Sequence, residues 1–199
     1  MWPLLAVPGL LAGAGGRQVV RRLAGDGPPL APELLAAAGF VLSGWIGGGA
    51  LRVLSLCWLV SFGVAAMLVD MAVQRLPDVL TWLGAAGVFV FSYGQAARSD
   101  AFSTGFRMLF AALALAGFFL ALALLLDVGL GDAQFAVSLG AALGYVSWSA
   151  VVDGVAATFL IAGLYTAFVL IARRRRSSTS VPLGPALLAG TFLTLALTR

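Results

Sequence analysis

The chain has 199 residues, 61% of them hydrophobic and only 10% charged, with a mean hydropathy of +1.04. A soluble domain is about 45–50% apolar and about 25% charged, so the composition excludes a soluble globule and points to a single membrane-embedded helical bundle. There is no His, no Lys and one cysteine, Cys57; Ser-His-Asp, Cys-His and Ser-Lys nucleophile pairs, PLP chemistry, His- or Cys-paired zinc sites and an intramolecular disulfide are therefore excluded.

Met1 to Gly16 is an apolar opening segment followed by Arg17, Arg21 and Arg22. A signal peptide places its positive charges first, so this order reads as a first crossing with its N-terminus outside. Residues 17–33 read as a short polar loop with Gly27-Pro28-Pro29 and Pro32 as breakers. Leu34 to Leu51 is the second span, with Arg52 at its far end, and Val53 to Val73 the third, carrying Asp70. After Gln74-Arg75-Leu76-Pro77 come a fourth span, Val79 to Gly94, a polar turn at Arg98 to Asp100, and a fifth span, Met108 to Leu126. The stretch from Ala133 to Leu170 is apolar except for Gln134 and Asp153. As one helix it would measure about 57 Å against a hydrocarbon core of about 30 Å, so it must turn once, and Ser147 to Gly154 is the polar place for it. Leu183 to Leu197 closes the chain as a short last span. The expected fold is all-α: a polytopic bundle of about eight transmembrane helices, residues 1–199 forming one integral membrane domain.

With eight crossings, one side holds Arg17, Arg21, Arg22, Arg75 and the run Arg173 to Arg176, and the other keeps Arg52, Arg98, Arg107 and Arg199. The positive-inside rule makes the first side cytoplasmic. The formal charge of +4 is no nucleic-acid footprint; the arginine run reads as an anchor on anionic membrane lipid. Asp70 and Asp132 then share the cytoplasmic side and can meet.

Asp78, just after Pro77, suits the first turn of a helix. Asp132, after Gly131, suits an N-cap or a functional role. Asp26, Glu33 and Asp100 read as solvated loop residues, Asp153 as interfacial, and Asp127 as a cap or an arginine partner. Asp70 lies inside an apolar span, where an ionisable group is costly unless paired or wet. Two aspartates on neighbouring helix ends are the one catalytic device this inventory permits. Held close, they cannot both ionise comfortably, and as a pair one carboxylate activates water while a protonated partner polarises a carbonyl.

Four stretches carry a resemblance. The first is Asp70-Met71-Ala72-Val73-Gln74-Arg75-Leu76-Pro77-Asp78-Val79-Leu80-Thr81, similar to D-x5-(L/I)-P-(D/N)-x-L-T. The second is Gly129-Leu130-Gly131-Asp132-Ala133-Gln134-Phe135 and the third Val181-Pro182-Leu183-Gly184-Pro185, similar to P-F-G-P before a last helix. The fourth, Pro28-Pro29-Leu30-Ala31-Pro32-Glu33-Leu34, is similar to P-x-x-E-L. In this order, over about residues 28–190, they resemble the type IV prepilin peptidases, the bacterial branch of the GxGD membrane aspartyl peptidases.

The resemblance implies a membrane aspartyl endopeptidase that cleaves short basic leaders from prepilin- or pseudopilin-like precursors at the cytoplasmic membrane face, typically just after a glycine. It implies Asp70 and Asp132 as the catalytic pair. Gly129, Gly131, Gln134, Arg75, Pro77, Asp78, Thr81, Pro182, Gly184 and Pro185 are its supporting motif residues. No cofactor or metal is implied. Gln134 stands where the family commonly has lysine, a change that bears on pH optimum or substrate contacts without removing a carboxylate. The loop 17–33 is too short for the cytoplasmic insert with two CxxC pairs carried by larger relatives, which also methylate the new N-terminus; a short form without that insert is expected. The competing readings are a transport-type protein using Asp70 and Asp132 as relay groups, and a degenerate peptidase acting in pilus or secretion assembly.

Overall fold

The computed structural model describes residues 2–24, 30–73, 78–99, 101–126, 129–173 and 183–199. A 3-10 turn over Trp2–Leu5 leads into eight helices: α1 (Ala6–Ala24), α2 (Ala31–Ile46), α3 (Ala50–Val73), α4 (Asp78–Arg98), α5 (Phe102–Leu126), α6 (Leu130–Gly144), α7 (Trp148–Arg173) and α8 (Gly184–Leu197). No strand occurs among the described residues. The fold is an all-α bundle. Four helices, α3, α4, α5 and α7, are long and apolar enough to span a membrane, and α2 and α8 are shorter apolar helices.

Several boundaries differ from the sequence expectation, each for a local reason. α1 does not stop at Gly16 but runs through Arg17, Arg21 and Arg22 to Ala24, because nothing in that stretch breaks a helix and the first strong breakers come later. Glu33 is not a solvated loop residue: it is buried in the first turn of α2 and paired with Arg17. Gly9 and Gly13 let α1 lie directly on α2, and a side chain at Gly9 would meet the Ala37 backbone at 2.7 Å.

Arg52 is likewise not a loop marker. α2 ends in Gly47-Gly48-Gly49, with φ of 69°, 94° and 104°, values that glycine alone adopts without strain. The turn is so tight that α3 begins at Ala50 and takes Arg52 into its first turn. α5 likewise starts at Phe102, ahead of the expected Met108, and includes Arg107. The break in the long apolar stretch falls at residues 145–147, at the early edge of the expected region, because the Ser147 hydroxyl accepts the Ala150 N–H at 3.0 Å and caps α7.

α6 is the central helix, with Phe135, Ala136, Leu139, Ala142 and Leu143 all buried. It is about 22 Å long at 1.5 Å per residue, shorter than a hydrocarbon core of about 30 Å. Around it stand α4, α5, α7 and α8, and α3 reaches it through the Arg52 side chain. The outward faces of α5 and α7 expose Phe110, Leu113, Leu124, Leu160, Phe168 and Ile171, apolar surface that suits lipid better than water. α5 lies on α6 through Gly140, where a methyl group would fall 2.7 Å from the Ala111 carbonyl oxygen and from the Ala112 Cα. Gly140→Ala is therefore expected to lower stability by about 1–3 kcal/mol through overpacking, read as a lower unfolding temperature in detergent.

Candidate active site

The register between α3 and α6 decides where the acids sit. At one end the Arg52 guanidinium donates to the Ala142 carbonyl at 2.7 Å. Midway, a side chain at Gly63 would meet the Phe135 ring at 3.3 Å. The two helices are therefore antiparallel, and Asp70 in the last turn of α3 faces the same end of the bundle as Asp132 in the first turn of α6. Each is only 6% exposed.

The two carboxyls are held differently. Asp70 Oδ2 accepts the Gly184 backbone N–H at 3.3 Å, at the start of α8. A methyl group on Gly184 would sit 3.0 Å from that oxygen, a tight contact that glycine avoids. Pro185, half-buried in the first turn of α8, has no N–H to leave unpaired there. Asp132 is not the N-cap of α6. Gly129 holds that position with an extended backbone (φ −63°, ψ 130°), and the Asp132 backbone N–H bonds to its carbonyl at 3.0 Å. The Asp132 Oδ1 is buried without a hydrogen-bond partner among the described residues. Gly129 is required neither by its φ nor by crowding, since an added methyl would reach Asp132 Oδ2 at an ordinary 3.6 Å. Gly131 is half-buried in the first turn of α6.

The other motif positions fall around this pair. Asp78 is exposed at the first residue of α4, as expected of a helix start. Thr81, buried one turn on, lies 2.9 Å from the Asp78 carbonyl and donates at 3.0 Å to Gln134 Oε1 on α6. Two motif stretches are thus joined side chain to side chain, two residues from Asp132. Thr81→Val keeps the shape but strips the donor. It is expected to cost about 0.5–1.5 kcal/mol of stability, while Thr81→Ser costs less; chemical denaturation of the two variants separates them. Arg75, Pro77 and Pro182 lie outside the described residues, as do Asp26, Asp100 and Asp127. No third carboxylate, histidine or cysteine joins the aspartates in a metal-binding group among the described residues.

The opposite end of the bundle is basic. Arg107 donates to the Gly144 carbonyl at 2.6 Å and the Tyr145 carbonyl at 2.7 Å, beside the Arg52 bond to Ala142. α6 thus carries an acid at its electropositive N-terminus and two arginines at its electronegative C-terminus, the favourable order for its dipole. Asp153 is exposed at this far end, one residue before Gly154, which packs on Leu143. Sequence reasoning missed Arg52 and Glu33 as buried residues. For Arg52 the signal was present in the three preceding glycines, which mark a turn rather than the middle of a span.

No family model, curated protein or solved structure matches this chain.

Proposed function

We propose that this protein is a membrane aspartyl endopeptidase of the prepilin-peptidase type, cleaving basic leaders from type IV prepilin-like precursors at the cytoplasmic membrane face. One observation carries the reading: Asp70 and Asp132, 62 residues apart in sequence, are both buried at the same end of antiparallel helices. Three of the four stretches that resemble the family motif are joined there, since Gly184 bonds Asp70 and Thr81 bonds Gln134. A surplus of buried acid at one spot is unfavourable for folding, and a reaction that needs both carboxyls gives it a reason.

An eight-crossing topology is part of the same proposal. The segments that leave the dyad end of the bundle contain or border Arg17, Arg21, Arg22, Arg75 and Arg173 to Arg176, and positive charge of that density favours the cytoplasmic side. At the dyad, water attacks the scissile carbonyl carbon and gives one proton to the ionised carboxyl. The protonated carboxyl gives its proton to the carbonyl oxygen, forming a gem-diol. On collapse the C–N bond breaks, the nitrogen takes the proton held by the first aspartate, and a gem-diol hydroxyl returns one to the second. Both acids end as they began, and no cofactor enters.

The test is direct. Purified protein in detergent, incubated with a precursor carrying a basic leader and an apolar segment, is expected to release the leader, resolved by mass spectrometry. Absence of any cleavage across pilin-like and pseudopilin-like precursors, with the protein folded, overturns the proposal.

A further inference from the structure

The two aspartates are alike in burial and alike in lying near a helix N-terminus, Asp132 in the first turn of α6 and Asp70 against the first residue of α8. Helix dipoles therefore do not separate them. Hydrogen bonding does. Asp70 Oδ2 receives a backbone N–H, fixed in place because Gly184 begins a helix and has no side chain to hold the acid away. Among the described residues Asp132 receives none: its Oδ1 is buried without a partner, and the charged side chain acting on it is Asp70. A donor aimed at a carboxylate favours its charged form, whereas burial without a donor, beside a like charge, favours the neutral form. A neutral carboxyl also supplies its own donor, the O–H, which an unpartnered buried oxygen otherwise lacks.

We infer that the pair is divided in its work: Asp70, held by the Gly184 N–H, is the carboxylate that takes the proton of the attacking water, and Asp132 is the carboxylic acid that donates to the scissile carbonyl. The assignment rests on the peptidase reading and adds to it which catalytic residue does which task. Gly184 becomes a positioning residue, acting through Asp70. Its contact comes from the last helix, 114 residues away in sequence from Asp70, so the division of labour is set by the tertiary fold rather than by either aspartate's own segment.

The test uses the whole protein in detergent at neutral pH with isotopically labelled aspartate, read by infrared spectroscopy. A protonated-carboxyl C=O stretch is expected in the wild type, retained in Asp70→Asn and lost in Asp132→Asn. A band that survives in Asp132→Asn and disappears in Asp70→Asn, or no such band in the wild type, overturns the assignment. This readout needs no substrate, so it holds or fails independently of whether the wild type cleaves a precursor. A second arm uses Gly184→Ala, whose methyl would press on Asp70 Oδ2. Its kcat is expected to fall about ten- to a hundredfold, the worth of one hydrogen bond to a charged group, with KM unchanged. A rise in KM with kcat intact would place Gly184 in substrate binding and overturn its positioning role.

Discussion

Asp70→Asn and Asp132→Asn should each abolish leader cleavage, lowering the rate by at least about 10³-fold, while leaving the helical content of the protein unchanged. In the proposed mechanism the two carboxyls work as one unit, and removing either member of such a set costs nearly as much as removing both. Retention of the fold follows from shape. Asparagine is isosteric with aspartate, and among the described residues neither buried side chain is ion-paired, so neither change breaks an ion pair. Two controls fix the specificity. Asp153→Asn, exposed at the far end of the bundle, should cleave like the wild type. Asp78→Asn should lose little, because an amide still serves at the start of α4. The measurement is single-turnover cleavage resolved by gel shift or mass spectrometry, with circular dichroism on the same samples. Full activity in Asp132→Asn would overturn the assignment of the pair.

The second large effect concerns stability and lies at the other end of the molecule. Arg52 is only 2% exposed. It donates to the Ala142 carbonyl at 2.7 Å and to Ser92 Oγ at 3.2 Å, and its guanidinium carbon lies 4.2 Å from the centre of the Tyr145 ring. Ser92 in turn is 2.7 Å from Ser55 Oγ, so one side chain ties α3 to α4 and to the end of α6. Arg52→Ala removes these bonds and leaves a cavity at the junction, for an expected loss of about 3–5 kcal/mol. Arg52→Met fills most of the space and also removes the cost of burying a charge, so its loss should be smaller by about 2 kcal/mol or more. Thermal unfolding in detergent compares the two. Cleavage per folded molecule should be unchanged in Arg52→Met, because the dyad lies at the far end of α3. Equal destabilisation by both substitutions, or a selective loss of activity in Arg52→Met, would contradict a purely architectural role.

The helical class and the identity of the suspect acids were legible without coordinates. An all-α fold follows from long apolar runs that offer the backbone no partner but itself, and Asp70 stood out because an acid in such a run has a cost that needs a reason. Asp132 was suspected from its neighbours in sequence, and its same-side placement with Asp70 followed from counting crossings. Glycine and proline marked most of the turns. At α1 they mark the end too early, because helix propensity carries straight through Arg17, Arg21 and Arg22. Charge in sequence says only that a group prefers water, not whether a neighbouring helix supplies a partner.

Partners were what the tertiary structure decided. Glu33 is buried because α1 presents Arg17 to it, and Arg52 is buried because the end of α6 presents a carbonyl and a ring. Neither partner lies within one helical turn of the residue it satisfies, so no local pattern announces it. The same holds at the dyad. Sequence alone determined that Asp70 and Asp132 are available, and left them interchangeable. Their inequality arises only when α8 folds back and sets one backbone N–H against Asp70 while leaving Asp132 Oδ1 without a donor. Hydrogen bonds at 3 Å depend on the packing of helices remote in the chain, whereas apolar periodicity depends on the chain itself.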